Sequence, residues 1–249
     1  KTKMKPHTFR KKWGQNFLQD PNIIRKIITQ LDPEPNDVVL EIGPGQGALT
    51  FELARQVKTI HAIEIDPLLV SYLKDNSPNN VNIIHQDILD LDLSQFPSDI
   101  KIIGNLPYNI TSPIIFKFLN WSNWSKMVFM TQIELAQRIT SIHGNKTYGR
   151  LSVMTQALSD IQLSFTVPKT VFFPQPDVTS AVLTFKPIPS LIIDIDRFSY
   201  LVKQAFSQRR KTLRNTLKGL FTSEELGEFA SKRAEELSIQ DFIKLSAIK

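Results

Sequence analysis

Val38-Val39-Leu40-Glu41-Ile42-Gly43-Pro44-Gly45-Gln46-Gly47-Ala48 runs from an apolar stretch into three alternating glycines. The first five residues read as a buried strand, and a helix is expected from about Ala48 to Gln56. Glycines between a strand and a helix permit a tight turn and let a ligand approach the backbone at the helix N-terminus. This unit predicts a nucleotide-type site on an α/β sheet.

Elements on either side extend the pattern. Asp20-Pro21 reads as a helix start, with Asp20 as N-cap and Ile23, Ile24, Ile27, Ile28 and Leu31 on one face. Thr59 to Ile65, Val81 to His85, Ile100 to Ile103 and Met127 to Met130 are further strands, with helices after Pro67 and Pro113. Strands alternating with helices predict a parallel, doubly wound sheet. Ile161 to Val167 and Ser180 to Phe185 look like an antiparallel pair added to it, separated by the proline-rich Pro168 to Pro176. Pro187 and Pro189 mark a boundary, beyond which Phe198, Leu201, Val202, Ala205 and Phe206 keep helical spacing. The expected division is therefore 1–188 for the sheet domain and 189–249 for a small all-α domain.

Of 249 residues, 41% are hydrophobic and 22% charged, which excludes a disordered or collagen-like chain and allows one large or two modest domains. No apolar run approaches the roughly 20 residues needed to span a bilayer. The basic N-terminus is not followed by a secretory h-region, and there are no cysteines to form disulfides, thiolate metal sites or a thiol nucleophile. A cytoplasmic protein without a membrane partner is expected. His7, His61, His85 and His143 lack metal-ligand spacing, so no metal is expected either.

The net charge of +6 is clustered. Lys1, Lys3, Lys5, Arg10, Lys11 and Lys12 share residues 1–12 with no acid, and Arg209, Arg210, Lys211, Arg214 and Lys218 share residues 207–218 with none. Either these are solvated faces, or Lys11, Lys12, Arg209, Arg210, Lys211 and Arg214 form a phosphate-binding footprint for nucleic acid.

Glu64 lies 21 residues after Gly43 at the end of the next strand, where a carboxylate can accept the hydroxyls of a ribose. A nicotinamide enzyme would show the same turn and acid. Asp87 sits where an adenine amino group could be accepted, with Ile88 as an apolar wall, although a plain turn aspartate reads the same way. Asn105-Leu106-Pro107-Tyr108, directly after the fourth sheet strand, separates the alternatives. An exocyclic adenine amine is a poor nucleophile because its lone pair is delocalised into the ring. An enzyme acting on it needs acceptors that favour a pyramidal nitrogen, and Asn105 with a backbone carbonyl can supply them. Pro107 stiffens the loop and Tyr108 offers a face for a stacked base. A nicotinamide oxidoreductase has no use for this loop.

In this order the motifs resemble the S-adenosylmethionine-dependent rRNA adenine dimethyltransferase family over nearly the whole chain. Gln15-Asn16-Phe17-Leu18 matches its N-terminal motif, Glu41 to Gly47 its cofactor turn, and Phe172-Phe173-Pro174-Gln175-Pro176-Asp177-Val178 its late Phe-x-Pro-x-Pro-x-Val element. The resemblance implies a Rossmann-like class I methyltransferase fold. It implies S-adenosylmethionine held by Asn16, Leu18, Gly43, Gly45, Glu64, Ile65, Asp87, Ile88 and Asn105. It further implies catalysis by Asn105, Leu106, Pro107 and Tyr108, with Phe172 and Tyr108 sandwiching a flipped adenine. Tyr148 to Val153 and Gln208 to Asn215 look like segments of the small-subunit branch of the family. That branch dimethylates two adjacent adenosines in the hairpin near the 3′ end of small-subunit rRNA within a pre-30S particle, and a monomer is expected. An Erm-like enzyme acting on large-subunit rRNA, or a non-catalytic assembly factor on the same fold, are the competing readings.

Overall fold

The computed structural model describes residues 16–121 and 123–248. The chain runs β1 (Phe17–Leu18), α1 (Pro21–Leu31), β2 (Val38–Ile42), α2 (Ala48–Leu53), β3 (Thr59–Glu64), α3 (Pro67–Asn76), β4 (Val81–His85), β5 (Ile100–Asn105), α4 (Thr111–Leu119) and β6 (Trp124–Gln132). It continues through α5 (Ile133–Ile139), α6 (Arg150–Gln156), β7 (Ser159–Val167), β8 (Phe172–Phe173) and β9 (Ser180–Pro187). Four helices follow, α7 (Ile195–Ala205), α8 (Leu213–Thr216), α9 (Ser223–Leu226) and α10 (Ile239–Ala247).

Seven strands form one sheet in the order β4-β3-β2-β5-β6-β9-β7. The first five are parallel and β9 joins β6 antiparallel. β1 and β8 make a separate antiparallel pair. The sheet grows outward from β2 through β3 and β4, then restarts on the other side of β2 with β5. The crevice beyond the C-terminal ends of β2 and β5 is therefore the topological switch point, where open α/β sheets bind ligands.

β2 is buried along four of its five residues, as a central strand covered on both faces must be. Gly104 in β5 lies opposite Ile42, and a Cβ there would come within 2.7 Å of the Ile42 carbonyl oxygen. Only glycine lets the two strands approach this closely at the crevice. α1 is capped as its sequence predicts, Asp20 Oδ1 accepting from Asn22 N at 2.8 Å and Ile23 N at 3.2 Å. It buries Ile27, Ile28 and Leu31 against a core that includes Val39, Ile103 and Val128.

Most element boundaries fall within a few residues of the sequence reading. α2 stops at Leu53 rather than Gln56, β5 runs on to Asn105, and α4 starts at Thr111 with Pro113 inside its first turn, where a missing N–H costs no helical bond. Chain contacts divide the molecule into two units, one running through Ala136 and resuming at Gln162–Pro187, the other Gln137–Ile161 with Ile188 onward. This differs from the expected 1–188 and 189–249 by assigning residues 137–161 to the second unit. Within that unit the buried Tyr148 donates its hydroxyl to the Leu237 carbonyl at 2.9 Å. Phe206 lies against both Tyr148 and Phe242, at centroid distances of 6.0 and 5.7 Å. Pro187 and Pro189 advertise one boundary, whereas the other two fall inside α5 and inside β7 with no break in composition. Among the described residues no helix is long and apolar enough to cross a membrane.

Candidate active site

The Gly43 to Gly47 turn leaves β2 with all three glycines at positive φ. Gly45 has φ +59, and a Cβ there would press on the Phe17 ring at 3.1 Å, so the position requires glycine on two counts. Gly43 N donates to Ile63 O at 2.9 Å, and Gly45 N donates to Glu64 Oε2 at 3.2 Å. Glu64 Oε1 accepts from Ile65 N at 2.9 Å and Asp66 N at 3.0 Å. The carboxylate at the end of β3 is thus locked by backbone donors, with lone pairs remaining for a further donor. Burial raises its pKa, and the three N–H groups oppose the rise.

Glu41, in β2, is more deeply placed. It is 1% exposed, and its Oε2 makes no hydrogen bond among the described residues. Burial pushes its carboxyl up to about 7, with the Glu64 charge adding to the rise and the Thr50 hydroxyl opposing it. Asp87, after β4, turns the chain by accepting from Leu89 N at 2.9 Å through Oδ1. Ile88 beside it is 6% exposed.

The loop leaving β5 is pinned at each residue. Asn105 Nδ2 donates to the Asn16 carbonyl at 3.1 Å, which leaves Oδ1 to accept from a ligand. Leu106 N donates to Met130 O at 3.0 Å. The Pro107 carbonyl accepts from Thr111 Oγ1 at 2.9 Å, and the Tyr108 hydroxyl lies 2.9 Å from Ser180 Oγ.

The glycine turn, Glu41, Glu64, Asp87 and the loop 105–108 line one cleft of about 310 Å³, of a size with small-molecule sites. Of the residues named from sequence, Asn16, Leu18, Gly43, Gly45, Glu64, Ile65, Asp87, Ile88, Asn105, Leu106, Pro107 and Tyr108 all line it. Phe172 does not. It is 4% exposed, lies opposite Leu18 in the β1–β8 pair, and belongs to the hydrophobic core. Successive strand side chains point to opposite faces, and burial of Phe172 accordingly leaves Phe173 52% exposed.

Lys11 and Lys12 lie outside the described residues. Arg210, Lys211 and Arg214 are exposed, but Arg209 is engaged within its own unit, pairing with Glu235 at 3.1 Å and donating to the Lys146 carbonyl. The sequence reading passed over Glu41 as an individual group, Phe17, and the hydroxyls of Ser180, Thr111 and Thr131. The first two sit inside motifs already recognised, whereas nothing local to the three hydroxyls marks them.

Comparison with known proteins agrees with this geometry. A family model described as ribosomal RNA adenine dimethylase matches residues 6–249. The chain is similar to ribosomal RNA small subunit methyltransferase A of Legionella pneumophila, at 40% identity over 96% of this chain and 97% of that protein. Among solved structures it is similar to a dimethyladenosine transferase from Plasmodium falciparum (TM-score 0.84, 27% identity, 92% of this chain and 95% of that one). It is also similar to the 23S rRNA methyltransferase ErmE (TM-score 0.71, 26% identity, 92% and 99%).

Proposed function

The chain belongs to the ribosomal RNA adenine dimethylase family, and from that premise we propose that it transfers methyl groups from S-adenosylmethionine to the exocyclic N6 of adenosines in small-subunit rRNA. The finer assignment is dimethylation of two adjacent adenosines in the 3′-terminal hairpin, by a cytoplasmic monomer acting on an assembling pre-30S particle.

The observation that carries the reading is the convergence at Asn105. A side-chain acceptor on a pinned loop stands at the switch point beside a glycine turn and a backbone-locked carboxylate, in the same cleft as Tyr108. The residues fit S-adenosylmethionine. Glu64 keeps lone pairs for ribose hydroxyls, Asp87 Oδ2 remains for an adenine amine, and Ile88 supplies an apolar wall. The orphaned Glu41 oxygen gives a cationic ligand a partner.

The cofactor, when bound, supplies a methyl group already activated on a sulfonium. The chain then has to bind, orient and exclude water. Asn105 Oδ1 accepts a hydrogen from the target amine and holds its lone pair out of conjugation. Tyr108 stacks on the extruded base, a contact worth about 1–3 kcal/mol in comparable base–aromatic pairs. Positioning rather than a strong base supplies the rate. Dimethylation requires the same slot to accept a monomethylated amine.

The test is transfer of radiolabelled methyl to methyl-free small-subunit particles, with protein-free large-subunit RNA alongside. Label confined to the particle is expected. Label in the large-subunit RNA makes the enzyme Erm-like, and no label in either, with cofactor bound, makes it a binding factor.

A further inference from the structure

We infer that Ser180 is a positioning residue for methyl transfer, its hydroxyl holding the Tyr108 phenol and thereby setting the ring on which the target base stacks. The inference rests on the function proposed above.

Ser180 is fully buried at the start of β9, opposite Gln132 at the end of β6, and its Oγ lies 2.9 Å from the Tyr108 hydroxyl. The two residues are 72 positions apart. The rest of the loop is held by its backbone or by Asn105, through Met130, Thr111 and the Asn16 carbonyl. Thr111 is itself backed by Thr131 Oγ1 at 3.3 Å. None of these bonds reaches the Tyr108 ring. A tyrosine ring swings about two soft side-chain torsions, and a stacking platform must present one plane. The bond to Ser180 restricts that freedom by anchoring the far end of the ring to the central sheet, where Ser180 pairs with Gln132.

The phenol is partly buried, and that burial raises its pKa. Without Ser180 a buried hydroxyl loses its partner, and the ring is expected to turn so that the hydroxyl reaches water. Stacking then occurs in a range of tilts, and the amine leaves the line of attack. Ser180 itself does not line the cleft, so its removal takes away no direct contact with the cofactor.

The experiment compares the full chain with Ser180→Ala, Tyr108→Phe and the double variant, using methyl-free small-subunit particles as substrate. Cofactor binding and thermal unfolding are followed in parallel. Each single variant should lower kcat by about 10- to 100-fold, the range expected for misplacement of a reacting group. The particle KM should change by less than about 3-fold, because a merely reoriented contact lowers turnover more than binding. The double variant should be no slower than the slower single one, since both remove the same bond.

Wild-type kcat in Ser180→Ala, or multiplicative losses in the double variant, would overturn the inference. If Ser180→Ala unfolds, Tyr108→Phe alone decides, because it removes only the phenol oxygen. Undiminished turnover there overturns the inference. A wild-type protein that methylates neither the particle nor large-subunit RNA removes the proposed function and this inference with it, whereas an active wild type with unaffected variants removes the inference alone.

Discussion

Asn105 owes its orientation to a carbonyl 89 residues earlier in the chain, at Asn16. Its role as acceptor for the amine predicts that Asn105→Ala loses turnover by at least about 100-fold, as removal of a transition-state contact does, with the fold retained. Single-turnover transfer alongside circular dichroism checks this, and near-wild-type turnover contradicts it. Glu41 makes a different prediction. Its folded-state pKa is raised from 4.5 to about 7, so the folded protein keeps a proton that the unfolded chain releases. The stabilisation is complete below about pH 4.5 and is lost as pH rises to about 7, roughly 3 kcal/mol in all. Glu41→Gln should therefore flatten the decline in stability over that window, read from denaturant midpoints at pH 5, 6 and 7.5. Parallel pH profiles for the two proteins would refute the assignment. At this scale the cleft residues were legible because each sits in a motif, most of them at or just beyond the end of a strand. Phe172 is buried and does not line the cleft, and its motif position does not reveal which of two adjacent aromatics turns inward. Ser180 was silent because a lone buried serine carries no pattern.

The elements were legible wherever hydrophobic periodicity coincided with a physical stop signal. Asp20-Pro21 and Asp66-Pro67 each place an aspartate N-cap before a proline, and both helices begin there. β1 and β8 escaped because two residues are too few to show alternation, and each exists only through pairing with the other. The close approach of β2 and β5 is the element-level feature on which the crevice depends. Gly104→Ala should destabilise the protein by about 1–3 kcal/mol, since the added Cβ meets the Ile42 carbonyl and a strand must shift. A guanidinium titration measures this, and an unchanged midpoint would show that the strands separate freely.

For the whole molecule, the charge pattern leads from fold to substrate. The basic segment at 207–218 belongs to the second unit, where Arg209 is engaged by Glu235 and the Lys146 carbonyl while Arg210, Lys211 and Arg214 face solvent. Neutralising those three should weaken RNA binding and reduce the slope of log affinity against log salt by about 2 to 3. Neutralising Arg209 should instead lower stability. An unchanged slope in the triple variant would move the RNA surface elsewhere. The mostly parallel sheet and the helical C-terminal region were both readable, because strand–helix alternation ceases where Pro187 and Pro189 occur. The assignment of residues 137–161 was not, since it depends on long-range burial of Tyr148 against Leu237. The central claim is that this cleft completes two methyl transfers on the N6 of small-subunit rRNA adenosines. The most direct measurement is nucleoside mass spectrometry of rRNA from methyl-free small-subunit particles incubated with the protein and S-adenosylmethionine. The account predicts N6,N6-dimethyladenosine at two adjacent positions, absent with Asn105→Ala; methyl groups on another base or atom, or the same product from Asn105→Ala, would contradict it.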